Sequence, residues 1–233
     1  MIYYYDIHIH SVLSAGADDL MTPNNIFNMA NLKELNIIAI TDHNSMKQLQ
    51  ICQEISESYD MLFIPGVEIS VKDGFHVLCY FKKIEDALKF DQTLEKYMDK
   101  MIYDHEYYGE QQIVDIDDQV VELYPYFLSP NLSLKLNELK LELELYDHLL
   151  FYAHINRKAN SGISYYTLDA LDGVELTMNA NSKFAIKHQL KQDRIIYNSD
   201  AHQIVDILEK TNKNQIELDE LSIDAFFRYF THG

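Results

Sequence analysis

Basic charge, cysteine and long apolar runs are all scarce in this chain of 233 residues. Its 19 lysines and arginines face 37 acidic residues, giving a formal net charge of −18, and its only arginines are Arg157, Arg194 and Arg228. Nucleic-acid-binding proteins usually carry a basic footprint that neutralises phosphates. The charge balance therefore argues against long nucleic acid as a partner and in favour of small substrates. The two cysteines, Cys52 and Cys79, lie far apart in no ligand-like spacing, which reads as buried free thiols in a reducing compartment. No stretch approaches the roughly 18 apolar residues of a membrane span. The opening MIYYYDIHIH lacks a basic segment followed by an apolar one, so no signal peptide is expected. A cytoplasmic protein without membrane association is the expectation.

Linkers rich in proline, glycine or serine are missing too, as are repeats and low-complexity runs. One domain over residues 1–233 is expected. Short apolar strands alternate with helical segments, the pattern of an α/β layer or barrel. Strands are predicted at 3–8, 37–41, 62–70, 75–81, 149–154, 173–176 and 194–198. Thr22-Pro23 reads as a cap followed by a first-turn proline, opening a helix to about 34. Ser45 reads as the cap of the next helix, which runs to about 58. Further helices are expected at 84–103, 131–147, 182–192 and 222–230. The rhythm breaks at 111–124, where two alternating segments flank Asp117-Asp118 and predict a hairpin. That hairpin and the helix after it form an insertion at about 104–147, either a lid or a buttress.

Histidines and carboxylates end or interrupt the apolar strands. In DIHIHS, His8 and His10 are two residues apart on a strand and project from one face, a ready pair for a divalent metal. TDHNS places Asp42 and His43 after the apolar run NIIAI, where α/β folds put their sites. Glu68 interrupts PGVEIS, and burying a carboxylate without a partner is costly. His76 is the strongly polar residue of FHVLCYF, His154 closes LLFYAHINR just before Arg157, and NSDAH supplies Asp200 and His202. Singly, each has an ordinary structural reading as a core histidine, a turn residue or one half of a salt bridge. Jointly they point to a polynuclear metal site, because converging acids and imidazoles repel or desolvate one another unless cations balance them. His105, His148, His188 and His232 fall in no such motif and read as ordinary histidines. Ser11 and Ser45 read as turn or cap residues rather than nucleophiles.

These motifs, in this order, resemble those of the PHP family (polymerase and histidinol phosphatase) over essentially the whole chain. The resemblance implies a distorted (β/α)7 barrel with the hairpin-plus-helix insertion, and two or three divalent ions, usually zinc, manganese or iron. It implies that His8, His10, Glu68 and Asp200 bind one metal, that Glu68 bridges to a second held by His76 and His154, and that His43 and His202 hold a third. Ala15 stands where the family commonly has aspartate, so the third site is short of a ligand unless Asp18 or Asp19 replaces it. Eight of nine expected ligands are present.

The implied activity is hydrolysis of a phosphoester by a metal-activated water. Glu68 and Asp200 would act at the metals, and Arg157 would clamp the phosphoryl group with its planar fork. With the charge balance, a phosphomonoester of a small molecule, a nucleotide or sugar phosphate, is expected. The alternatives are a nuclease-like phosphodiesterase acting on short oligonucleotides or nucleotide bisphosphates, and a non-catalytic metal-binding regulatory module.

Overall fold

The apolar runs become strands with little or no exposure. All four residues of IIAI, all six of GVEISV and all seven of FHVLCYF are buried, as expected where a sheet is covered on both faces. A computed structural model describes residues 1–167 and 170–231; His232 lies outside them. The order is β1 (Ile2–Ile9), α1 (Pro23–Leu32), β2 (Ile37–Ile40), α2 (Leu49–Ser56), β3 (Leu62–Phe63), β4 (Gly66–Val71), β5 (Phe75–Phe81), α3 (Ile84–Tyr97) and α4 (His105–Tyr108). There follow β6 (Gln112–Val114), β7 (Val120–Leu123), α5 (Leu136–Leu143), β8 (His148–Tyr152), β9 (Gly173–Thr177), α6 (Ser182–Lys187), β10 (Ile195–Asn198), β11 (Gln215–Glu217) and α7 (Ile223–Thr231).

This is a mixed α/β fold. One sheet has the order β11-β1-β2-β3 and another β10-β9-β8-β5-β4, with β6 and β7 as a separate hairpin. The expected (β/α)7 barrel is not found as a closed ladder among the described residues. Two local features open it. The single strand predicted at 62–70 breaks at Ile64-Pro65: β3 pairs with β2, and β4 pairs antiparallel with β5. Proline supplies no N–H to a ladder, so the chain changes sheet there. At the other seam the Ile7 N–H donates to the Asn198 side chain at 3.0 Å rather than to a strand carbonyl. Single bridges, His43 with Glu68 and Ile9 with Ala201, join the sheets at these two seams. Both seams therefore carry candidate site residues.

Helices α1 and α2 pack Ile26, Phe27 and Cys52 into the larger apolar cluster, whereas α7 sends Phe226, Phe227 and Phe230 into a second cluster with Ile7, Tyr80 and Phe151. Both cysteines are free and buried. Several expected helices are shorter. The helix expected from Ser45 begins at Leu49, and before it the Met46 N–H donates to the Asp91 carboxylate at 2.7 Å. Thr22 does precede α1, but its hydroxyl donates to Asp118, which also accepts from the Asn24 N–H at 3.3 Å. A carboxylate from the hairpin thus sits at the positive end of α1.

The hairpin braces neighbouring loops. Gln48 donates to the Val114 carbonyl and accepts from its N–H, both at 3.0 Å, as a strand partner would. Leu13 is buried against Tyr124 and Leu128, while Asn44 donates to the Leu128 and Pro130 carbonyls. None of the described insertion residues lines the cavity at the histidine cluster. The segment 104–147 contacts the loops around His10 and His43 through Leu13, Asn44 and Gln48. No helix among the described residues is long and apolar enough to cross a membrane.

Candidate metal centre

The eight residues singled out by the motifs converge. His8 lies on β1 and His10 just beyond it, His43 follows β2, Glu68 and His76 lie on β4 and β5, His154 follows β8, and Asp200 and His202 follow β10. His154 and Asp200 have positive φ, 29° and 55°, so the chain turns sharply where each side chain enters the site. Such conformations persist only where surrounding structure enforces them.

Glu68 sits at the middle. Its Oε1 lies 2.9 Å from His76 Nδ1 and 2.9 Å from His154 Nε2. Its Oε2 lies 3.4 Å from His8 Nε2, 3.3 Å from His10 Nε2 and 3.0 Å from His43 Nδ1. Asp200 Oδ1 lies 3.3 Å from His8 Nε2 and 3.1 Å from His10 Nε2, and the two imidazole nitrogens are 3.1 Å apart. These separations suit one cation. A tetrahedral site with arms of about 2.0–2.1 Å has ligand–ligand edges of about 3.3 Å. Glu68 Oε2 and Asp200 Oδ1, two vertices of that group, are buried without a hydrogen-bond partner, a costly arrangement unless a cation engages them. Donor atoms also cluster for His43, Glu68 and His76, and for His10, His43 and His202.

Charge within the cluster is divided. Burial alone would raise the Glu68 carboxyl, but the facing imidazoles of His8, His76 and His43 hold it well below the usual carboxylate range. Asp200 is lowered likewise, its burial outweighed by His8 and His10. Burial alone would lower His10, yet its contacts with Asp200 and Glu68 raise it to about 9. Burial and the neighbouring His10 depress His202 to about 3, and burial also lowers His43. The carboxylates thus attract positive charge at His8 and His10, whether protons or cations, while His43 and His202 offer neutral lone pairs.

A further set of polar residues holds these side chains in place. His10 Nδ1 contacts Ser14 Oγ at 2.9 Å, and Ser14 donates to Asp42, which also accepts from the Ser11 N–H and hydroxyl. Asp42 therefore serves the loop that carries His10. His8 Nδ1 contacts Glu175 at 2.9 Å. Sequence reasoning missed Ser14 and Glu175. Glu175 had a signal, a lone carboxylate in the apolar strand GVELT, the same sign that marked Glu68. Ala15 leaves the His43–His202 group without a carboxylate, since Asp18 and Asp19 are exposed and the Asp18 side chain accepts from the Leu20 N–H. Arg157 lines the cavity but pairs with Asp200.

No protein-family model matches the sequence. A segment of 119 residues, 50% of this chain, is 26% identical to a 5'-3' exoribonuclease of Haemophilus influenzae and covers 39% of that protein. Among solved structures, Endonuclease Q in complex with a 27-mer duplex carrying an abasic lesion is similar over 100% of this chain and 57% of that chain, with TM-score 0.67 and 21% identity. The lesion-specific endonuclease PfuEndoQ of Pyrococcus furiosus is similar over 98% of this chain and 55% of its own, with TM-score 0.68 and 21% identity. A protein of Bifidobacterium adolescentis, described as a metal-dependent phosphoesterase, is similar over 96% of both chains with TM-score 0.60 and 19% identity. The chain thus spans less than two-thirds of the exoribonuclease and of both endonucleases. These structural likenesses are of fold. The shared fold agrees with the PHP resemblance that the motif order carries.

One expectation is corrected. The net charge argued against long nucleic acid, yet Endonuclease Q has this fold and is solved with a 27-mer duplex at its active site. Whole-chain charge averages over the surface and omits bound cations, so it does not predict the partner in a fold of this kind.

Proposed function

We propose that this chain is a metal-dependent, nuclease-like hydrolase that cleaves a phosphodiester of nucleic acid. The convergence of His8, His10, Glu68 and Asp200 at cation-ligand spacing carries the hydrolytic part. The exoribonuclease and Endonuclease Q likenesses favour a phosphodiester. Residues 1–233 are taken as one unit, with 104–147 an insertion that braces the site's loops.

In this reading His8, His10, Glu68 and Asp200 hold one divalent ion, and Glu68 with His76 and His154 holds a second. His43 and His202, with His10 nearby, form a poorer third group. A donor set of imidazole and carboxylate suits zinc, manganese or iron. Bound ions would supply Lewis acidity to a phosphoryl oxygen and lower the pKa of a water. Glu68 sets the distance between the two groups, because each of its oxygens faces one. Arg157 binds the phosphoryl oxygens by exchanging Asp200 for substrate, its fork matching two of them. Lys158 lines the same cavity.

That cavity measures about 360 Å³, within the range of small-ligand clefts, about 300–1,000 Å³. It suits one nucleotide, so the rest of a longer strand would lie across its mouth. The same size favours a second reading, a phosphomonoester such as a nucleotide or sugar phosphate. A panel of single-stranded and duplex oligonucleotides and phosphomonoesters, tested with manganese, zinc, iron and magnesium, separates them. Diester cleavage is expected. Hydrolysis of monoesters alone would reject the nuclease reading, and no hydrolysis by the metal-loaded protein would leave a non-catalytic metal-binding module.

A further inference from the structure

Glu175 is 2% exposed, lies in the middle of β9, and belongs to none of the donor groups. All its polar contacts nevertheless go to segments that carry donors. Its Oε1 accepts from His8 Nδ1 at 2.9 Å and from Asn198 Nδ2 at 2.8 Å. Its Oε2 accepts from the His154 main-chain N–H at 2.6 Å. Asn198 in turn accepts from the Ile7 N–H at 3.0 Å and stands two residues before Asp200. One carboxylate therefore touches β1 at His8, the sharp turn at His154, and the end of β10 that leads to Asp200.

We propose that Glu175 is a positioning residue that couples the two cation sites, fixing His8 and Asp200 of one and His154 of the other through a single buried carboxylate. By accepting from Nδ1 it holds His8 as the tautomer whose Nε2 lone pair points at Glu68 and Asp200. By accepting from the His154 N–H it pins the left-handed turn that aims His154 Nε2 at Glu68. Ser14 does the first task for His10 and also accepts from the His43 N–H at 3.2 Å, so its contacts reach the first site and the His43–His202 group but not His76 or His154. The proposal rests on the reading of the cluster as cation sites.

Glutamine cannot replace this carboxylate. Three donors converge on its two oxygens, and an amide offers one acceptor, so its NH2 would face either His154 or the pair formed by His8 and Asn198. Metal-stripped wild type, Glu175→Gln, Glu175→Asp and Ser14→Ala are titrated with Mn²⁺ by calorimetry and with Co²⁺ by visible absorption. Near-UV circular dichroism checks that each apoprotein is folded. Outer-shell partners typically contribute about 10- to 100-fold in metal affinity. Glu175→Gln is expected to weaken both of the tightest binding steps by about that factor and to alter the Co²⁺ spectrum of both. Ser14→Ala is expected to weaken one of those two steps only. Should Glu175→Gln not fold, Glu175→Asp, which keeps the charge but shortens the reach, is expected to weaken both steps. Wild-type affinity at either step in the folded Glu175 variants would overturn the coupling. Failure of the wild type to bind Mn²⁺ or Co²⁺ would instead overturn the cation sites themselves.

Discussion

At the scale of single residues, the chemistry sits in side chains that the apolar strands have no packing reason to contain. His10→Ala removes a vertex that faces both Glu68 and Asp200, and it is expected to lower bound metal and abolish hydrolysis. Elemental analysis beside an activity assay checks this; full activity with unchanged metal content would remove His10 from the site. Arg157→Ala deletes a fork at the cavity wall, where the side chain is 43% exposed. It is expected to raise KM several-fold with bound metal unchanged, and unaltered kinetics would end its phosphate role. Most of this level was legible, because each histidine or carboxylate broke an apolar run. Ser14 was not, since one hydroxyl in a loop carries no pattern. Its role exists only because the fold brings Asp42 and His10 to it.

At the scale of elements, packing decides which predicted segments survive. Helix α7 is held by Phe226, Phe227 and Phe230 against Tyr80 and Phe151, and Phe226 stacks edge-on to Phe230 with centroids 5.2 Å apart. Phe226→Ala is expected to cost about 3–5 kcal/mol of stability, as aromatic truncations in a core do. Denaturant unfolding measures it, and a loss well under 1 kcal/mol would mean that α7 is not part of the cooperative core. Gly66 opens β4 where a Cβ would meet Thr41 Cγ2 and Tyr80 Cδ1, both at 2.9 Å. Gly66→Ala is therefore expected to destabilise by about 1–3 kcal/mol, the usual cost of overpacking, and to loosen the seam beside Glu68. Strand positions were largely readable from apolar runs. The break at Pro65 and the short helices α2 and α5 were not, because they depend on the sheet and the distant segments that each part of the chain meets.

At the scale of the whole molecule, ions at the centre would tie both sheets together, since the donors come from β1, β4, β5 and the segments after β2, β8 and β10. Binding to the folded state alone stabilises it, by about 2.7 kcal/mol at a free concentration one hundred times Kd. Chelation is accordingly expected to lower the Tm by several degrees, read by calorimetry with and without chelator; an unchanged Tm would argue against any tightly held ion. Cation binding should also depend on pH. His10 keeps its proton up to about 9 in the metal-free cluster, so a cation must displace it below that pH. Apparent affinity should then rise with pH up to about 9 and fall as pH drops. Titrations at about pH 6 and about pH 8 test the sign, and equal affinities would show that no proton is exchanged.

The sequence by itself determined that histidines and acids lie at the ends of apolar strands, and hence that a cation-binding hydrolytic site is the economical reading. That much is local, because alternation and interruption are properties of short segments. Tertiary structure decided the rest. It set the strands in two sheets joined at His43–Glu68 and Ile9–Ala201, packed the hairpin against the loops around His10 and His43, and placed Glu175 against both His8 and His154. These depend on which strand a segment meets and which donor a buried carboxylate finds. Such choices are fixed by long-range pairing and the cost of leaving polar groups unsatisfied.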